Sequence, residues 1–472
     1  MDSNMAKLSV QKRCTVGFFQ ALTVLLLYVG RQAYGQENSA ALESQFHAAM
    51  AAQDRGDLQQ AEVLLREMHK EHPGIFAVDE SLGLLYVGGQ RFEEALPLLQ
   101  AAVEEEPKSD IAHINLAADF YRLHRNVEAL HELETAGRLN PKKAETQQSL
   151  GQLRLEMHQL SRAVDAFDAA MVLDPGNTDL LLDKAQALME ANRLEEAKLT
   201  LASYPNANRS AAAQSLLAAL DEKAGMFREA AEHYSRAVDL YPSEDNVWNL
   251  ALELLRHWSF EAAAAELESA VVQFPESQRM RLGLGTAYFG KANFGKAVPV
   301  FAGLLRQDPE NALYAELLGM SCTAVLDAVQ ADCNVLVKYA QVHPNNAKVA
   351  VAAAAGLTQG TSGDEQIALA YDLLRSAIAV DPKLADARYR LGLLDQEQNK
   401  WKESIPSLEA AVALEPEYVQ AHYRLSLAYW RSGRKQEAKV QMELEKKYAL
   451  RQAEDLQRKL KQITILLAQV HN

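Results

Sequence analysis

Cysteine is nearly absent. Three residues, Cys14, Cys322 and Cys333, in a chain of 472 cannot build a disulfide framework, and their spacing offers no metal-ligand set. Glycine and proline are also sparse, at 23 and 14 residues, which excludes collagen-like and low-complexity disordered classes. The 12 histidines include no His-Glu-x-x-His pair, no Gly-x-Ser-x-Gly segment occurs, and no Cys-x-x-Cys-His is present to attach haem. Neither a catalytic function nor a cofactor is therefore expected. Cations fall short of anions, 48 Lys and Arg against 63 Asp and Glu, and the net charge of −15 disfavours a nucleic-acid partner, which would need clustered cations. After residue 35 no apolar run is long enough to cross a bilayer. What the chain has in abundance is Ala, Leu and Glu, a composition that favours helix.

The first 35 residues stand apart. Lys7, Lys12 and Arg13 precede an apolar stretch from Val16 to Gly30, and Ala33-Tyr34-Gly35 places small residues before Gln36. This is the layout of a cleaved secretory signal. The alternative is an uncleaved anchor, for which the stretch from Cys14 to Gly30, interrupted by Gln20, is short. Residues 1–35 are read as a signal peptide and the chain as exported, to the periplasm or the medium, with no integral span after cleavage. Removing them leaves 44 Lys and Arg against 62 Asp and Glu. Residues 431–472 reverse the balance, with ten cations against five anions, so a long acidic body ends in a basic segment.

A repeat governs the rest. Ala61, Ala95, Ala129, Ala163, Ala197, Ala230, Ala263, Ala297, Ala331, Ala370, Ser404 and Ala438 recur every 33 or 34 residues, with one interval of 39. A proline follows this frame by 12 residues at Pro73, Pro107, Pro141, Pro175, Pro242, Pro275, Pro309, Pro382 and Pro416. A leucine precedes it by 13, at Leu82, Leu116, Leu150 and six later positions, and a small residue follows that leucine. Each unit reads as two amphipathic stretches of about a dozen residues, too short to be stable as isolated helices and so dependent on packing. Phe92, Phe227, Phe260, Phe294 and Trp401, three before the frame, are expected to plug the turn between the paired helices. Pro97, Pro299 and Pro406 fall near the start of the second stretch, where a proline costs least.

These columns resemble the tetratricopeptide repeat. Its pattern of bulky, Leu, Gly, aromatic, then Ala, aromatic, Ala and Pro is closely approached by Leu82, Gly83, Tyr86, Ala95, Leu99, Ala102 and Pro107, and recurs as Leu284, Gly285, Tyr288, Ala297, Phe301 and Pro309. The resemblance covers residues 42–447. It implies an all-α fold, a right-handed superhelical solenoid of about twelve helix pairs, with first helices lining a concave groove and second helices the convex back. It also implies an interaction scaffold that takes a peptide or protein segment in the groove. The alternative is a repeat subunit of a glycosyltransferase or polysaccharide-export complex. The positions that line the groove in this family correspond here to Ile114, Asn115, Tyr121, Trp248, Asn249, Leu252, Phe289, Tyr389, Arg390, Tyr423, Arg424 and Trp430. The family's clamp for carboxyl-terminal tails needs Lys and Asn on one first helix, then Asn, then Lys and Arg on the next two, and no three successive units supply it.

Several features depart from the pattern. The fifth unit ends early at Pro205, the ninth places Pro344 one residue late, and the tenth carries extra residues around Gly360-Thr361-Ser362-Gly363. Cys322 and Cys333 stand on facing helices of the ninth unit, 11 residues apart, either as a disulfide or as two small buried apolar residues. Residues 290–297, Gly-Lys-Ala-Asn-Phe-Gly-Lys-Ala, fit the spacing of a phosphate-binding loop, but Ala297 lacks the hydroxyl that holds magnesium, and the segment falls in a helix–helix turn. After the last unit, Ala449, Ala453, Leu456, Leu460, Ile463, Leu467 and Val470 alternate four and three apart on one long helix. Residues 448–472 are read first as a cap over the final repeat; self-association through residues 449–470 is the second reading.

Overall fold

The computed structural model describes residues 36–324, 330–358 and 363–451. Among them every regular element is helical, and helices alternate with short turns from Gln36–Asp54 and Leu58–Glu71 to Val419–Arg431 and a final helix over 435–451. Twelve helix pairs result, one for each frame residue. The chain divides after Tyr241 into two compact bodies, and six pairs fall in each.

The frame residues sit where paired helices cross most closely. From Ala61 to Ala438 those with described side chains are at most 2 % exposed. Across from them, a methyl group added to Gly83 would fall within 3.0 Å of Leu99, and the same holds for Gly151 against Phe167, Gly285 against Phe301 and Gly392 against Leu408. The glycine sits 12 residues before the frame and the bulky side chain four after it, so one column is a socket for the other. Close-packed interiors do not absorb an extra methylene cheaply, which is why both columns hold their size classes.

A second column, invisible in residue type, shapes the turns. Five residues before the frame, Gly56, Gln90, His124, His158, Asn192, Gly225, Trp258, Ala292, Asn399 and Gly433 all adopt positive φ, between 55° and 84°. Each closes the first helix with a paired hydrogen-bond motif, as when Gln90 N–H donates to Val87 O at 3.0 Å and Arg91 N–H to Tyr86 O at 2.8 Å. Glycine enters this conformation without penalty, but only three of the ten are glycine. Trp258, 75 % exposed, is the bulkiest residue held there.

Two expectations are corrected. Pro97 and Pro299 lie at the sixth residue of Phe92–Glu105 and Phe294–Gln307, a turn deeper than anticipated, and each removes one backbone bond from an otherwise intact helix. Pro406 does sit early, in Ser404–Leu414, because residues 401–403 form a turn. The aromatic before the frame does not simply plug its own turn. Phe260 packs on Gly290, at the end of the next repeat's first helix, and Trp401 lies under Arg431 of the next repeat, 5.1 Å from guanidinium carbon to ring centre. Phe260 and Trp401 therefore bridge repeats, while Phe294 meets Phe289 across its own turn as expected.

The irregular units fall where the sequence placed them. In the first body the helix Leu194–Ala202 has nine residues against fourteen for its counterparts, and a short 3-10 turn, Ala207–Arg209, follows. In the second body the ninth repeat's second helix is broken into Gln330–Cys333 and Val335–Val342. The tenth repeat's second helix, Asp364–Val380, is lengthened to 17 residues. The signal segment, the side chain of Ala331, the centre of the Gly360 insertion and the C-terminal stripe beyond Arg451 lie outside the described residues.

Candidate partner-binding surface

Within each body, successive first helices touch one another as well as their own partners. In the first body Phe76–Gly88 meets Asp110–Arg122, and Asp179–Glu190 meets both Ala144–Glu156 and Ala211–Lys223. In the second, Glu244–Arg256 meets Gln278–Gly290, and Ala385–Glu397 meets Ala347–Leu357 and Val419–Arg431. In each body the first helices thus form a wall. The sequence-derived residues all lie on it, but the structure sorts them into two kinds.

The first kind is spent on contacts inside the array, between repeats or within one. Asn115 Nδ2–H donates to Glu80 Oε1 at 3.0 Å, and the Tyr121 hydroxyl donates to Glu156 Oε1 at 2.6 Å. Gln148 Nε2–H makes the same kind of rung to Asp183 at 2.8 Å. Burial pushes Glu80 up to about 7, with the Asn115 bond opposing and the charge of Glu106 adding to the rise. Trp248 packs over Gly283 of the next repeat and Phe289 stacks edge-on with Phe294 at 5.2 Å. Tyr389 meets Tyr418 at 4.9 Å, Arg390 pairs with Asp386 at 3.4 Å, and the Arg424 carbonyl accepts from Gln396 at 2.9 Å. Ile114, Asn249 and Leu252 are half-buried. Asn115, Tyr121, Gln148, Trp248 and Tyr389 thus tie neighbouring repeats together.

The second kind is open. Tyr423 is 48 % exposed and Trp430 56 %, and both are among the positions the family resemblance points to. Leu313 and Met320, absent from that set, are also open, 53 % and 48 % exposed on the helix Ala312–Ala324. Ile111 is a similar case in the first body. The signal that finds them is position: Ile111 and Leu313 stand 18 residues before the frame and Met320 eleven, two of the columns this family turns toward its groove.

Buried polar groups elsewhere are structural. His113 bridges Glu132 Oε2 at 2.5 Å and the Pro107 carbonyl at 3.2 Å, and His422 bridges Gln441 at 2.6 Å and the Pro416 carbonyl at 2.9 Å. Gln214 and His233 make the same pair with the residue types exchanged, at 2.8 Å. The position 16 before the frame thus ties the preceding inter-repeat loop to the repeat's own second helix. His69 is bonded to the buried Asp79. Asp119 is fully buried with no hydrogen-bond partner for either oxygen, and burial, reinforced by Glu93 and opposed by Arg125, pushes it up to about 7.

Gly290 ends one helix, Ala292 is the turn residue, and Lys296 lies over Tyr288 beside Glu268, so the phosphate-loop spacing belongs to an ordinary turn. A surface hollow of about 550 Å³ between Glu244 and Arg279 presents a guanidinium already paired with Glu244 and Asp245. Among the described residues no group of three or more His, Cys, Asp and Glu could hold a metal ion, and no helix is long and apolar enough to cross a membrane. The Cys322 and Cys333 sulfurs lie at bonding distance, with Cα atoms 5.9 Å apart, joining the two helices of the ninth repeat.

Two sequence models described as tetratricopeptide repeat match the chain, one at residues 46–110, 80–144, 248–312 and 389–441, the other at 154–220. No curated protein matches it in sequence. Among solved structures it is similar to the Cut9–Hcn1 hetero-tetramer of the APC/C, at 13 % identity over 88 % of each chain with a TM-score of 0.36. It is also similar to a tetratricopeptide repeat protein from Parabacteroides merdae, at 18 % identity over 60 % of this chain and 99 % of that one, TM-score 0.38. The Naa15/Naa10 complex bound to HypK-THB shows 16 % identity over 86 % and 68 %, TM-score 0.34. These likenesses are too distant to carry more than the helical repeat. The sequence models span more than half of the chain and agree with the twelve helix pairs, so the chain belongs to the tetratricopeptide repeat family, whose arrays mediate protein–protein interaction.

Proposed function

We propose that this chain is an exported scaffold that binds a protein segment along the first-helix wall, with the principal contacts in residues 242–451. The observation that carries the reading is the set of large apolar side chains left open on groove columns of that body: Leu313, Met320, Tyr423 and Trp430. A purely structural wall would cover or replace them, as it does with Asn115 and Tyr121. Trp and Tyr anchors flanked by Arg424 and Lys435 suit a segment that brings apolar side chains and some acidity, and Lys435 already lies 5.6 Å from the Trp430 ring. Export is supported by the basic, apolar, small-residue order of residues 1–35. The cysteine pair of the ninth repeat fits an oxidising compartment.

The test is capture from the cell-envelope and secreted fractions with the wild-type chain and with a Trp430→Ala, Met320→Ala double variant, identified by mass spectrometry. A protein retained by wild type and lost with the variant supports the reading. Equal retention by both chains removes it, and intact mass of the exported chain still carrying Met1 removes the signal assignment.

A further inference from the structure

The position 16 before the frame has a recurring chemical duty, and the second repeat departs from it. His113, Gln214, Arg281 and His422 each offer an N–H there to a carbonyl of the loop before their repeat, at Pro107, Ala207, Pro275 and Pro416. Each also reaches a polar side chain of its own second helix, as Arg281 reaches Gln307 at 2.6 Å. In the second repeat the position is Asp79, which is 1 % exposed. An ionised carboxylate has no N–H or O–H to offer.

The side chain across from Asp79 is acidic too. Glu105 closes the second repeat's second helix, ten residues after the frame, where the eighth repeat has Gln307. Its carboxyl lies within hydrogen-bonding reach of Asp79, yet Glu105 Oε2 is buried with no donor to bond it. Its Oε1 faces the preceding loop, 3.6 Å from where a Cβ on Gly74 would stand. Two carboxyl groups can bond one another only if one of them carries a proton.

The charges around the pair act in two directions. On the preceding second helix His69, 39 % exposed, is bonded to Asp79, and when protonated it supports one ionised carboxylate. A single proton therefore suffices for the two acids. On the second repeat's own second helix and just past it, Glu104 and Glu106 add negative charge. Glu80, beside Asp79, is held by Asn115 of the third repeat. Burial, then the bond and charge of Asp79, then Glu106 and Glu104, push Glu105 up to about 7.

We propose that Asp79 and Glu105 share one proton and form a pH-sensitive latch, which clasps the second repeat to the loop before it and springs when that proton leaves. With the proton in place, the pair has the donor that a carboxylate lacks. As pH rises a second carboxylate appears inside a buried contact, and the closed junction loses stability. Glu105 is raised in the fold, so its contribution is complete below the unfolded value of about 4.3 and is lost as pH rises through about 7. The latch lies in residues 36–241 and does not depend on the partner contacts proposed for residues 242–451.

Amide exchange in the full chain, corrected for intrinsic rates, tests it over residues 76–105 from pH 5 to pH 8. Glu105→Gln installs the residue type of the eighth repeat. Its protection relative to wild type is expected to rise about tenfold across that range. The full displacement would allow about a hundredfold, and the smaller figure accounts for solvent screening at the half-buried Glu105. Asp79→Asn should give the same rise from the other side of the pair. Glu104→Gln, exposed and outside the pair, should change protection by no more than about twofold. A ratio of variant to wild type that stays flat with pH overturns the inference, and so does an equal rise over residues 385–431. If circular dichroism shows that the variants do not fold, the side-chain carboxyl carbon signals of the wild type decide. One proton retained by the pair at pH 6 supports the latch, and two ionised carboxylates at pH 6 overturn it.

Discussion

In residues 36–241 the polar side chains of the first helices are bonded to one another across repeats, as with Asn115 and Glu80, Tyr121 and Glu156, and Gln148 and Asp183. In residues 242–451 the first helices also leave Leu313, Met320, Tyr423 and Trp430 open. Both bodies are built on one frame with one turn geometry, so the difference lies wholly in which side chains occupy columns that packing leaves free. A repeat fixes its core columns by sterics and leaves the wall columns to be used for cohesion or for recognition. The first body uses them mostly for cohesion, and the cost is electrostatic. Glu80 and Asp119 are buried there and pushed up to about 7.

The largest expected effect on binding breaks the comparison if it appears in the wrong body. Trp430→Ala or Tyr423→Ala should weaken binding of a captured partner by about thirtyfold or more, since truncating a true anchor commonly costs about 2 kcal/mol. Tyr121→Phe, which removes a rung in the first body, should leave that affinity unchanged in the same titration and lower thermal stability instead. Loss of binding with Tyr121→Phe alone would show that the first body also recognises the partner.

Overpacking should hurt both bodies alike. Ala95→Leu and Ala297→Leu each drive a branched side chain into a helix crossing with no free space, at a cost of about 1–3 kcal/mol. Amide exchange should rise mainly in the mutated repeat and its neighbours, because contacts in such arrays are between adjacent units. Loss of every repeat together would contradict that.

The pH response should distinguish the bodies. Asp119 titrates near 7 in the folded chain and about 3.9 when unfolded. The stability of its neutral form is complete below the unfolded value and is lost as pH rises through the folded one. Asp119→Asn stays neutral, so its advantage over wild type in denaturant unfolding should be absent near pH 4 and reach on the order of 4 kcal/mol by pH 8. A flat difference across that range would mean that Asp119 remains charged in the fold.

The smallest effect concerns the turns. Trp258→Gly replaces a bulky residue at φ 61°, and stability should rise by roughly 0.5–1 kcal/mol, read as a thermal shift. Gly225→Ala in the first body should lose a similar amount. If Trp258→Gly destabilises, the exposed ring contributes packing that outweighs the backbone strain.

How much was legible divides along physical lines. The sequence by itself determined the repeat, its length, its twelve units and its irregular members, because socket and knob columns such as Gly285 and Phe301 admit few residue types and therefore recur in print. It also pointed to the wall. It could not show that Asn115, Tyr121 and Arg390 are occupied by partners 35, 35 and four residues away, nor that Leu313 and Met320 are open. The left-handed turn residue was hidden for a related reason: two flanking helices held by tertiary contact impose φ on Gln90, His124 and Trp258 whatever their intrinsic preference. Steric columns are written in residue identity, but exposure and pairing depend on what the neighbouring repeat places opposite, and that was decided only when the repeats were stacked.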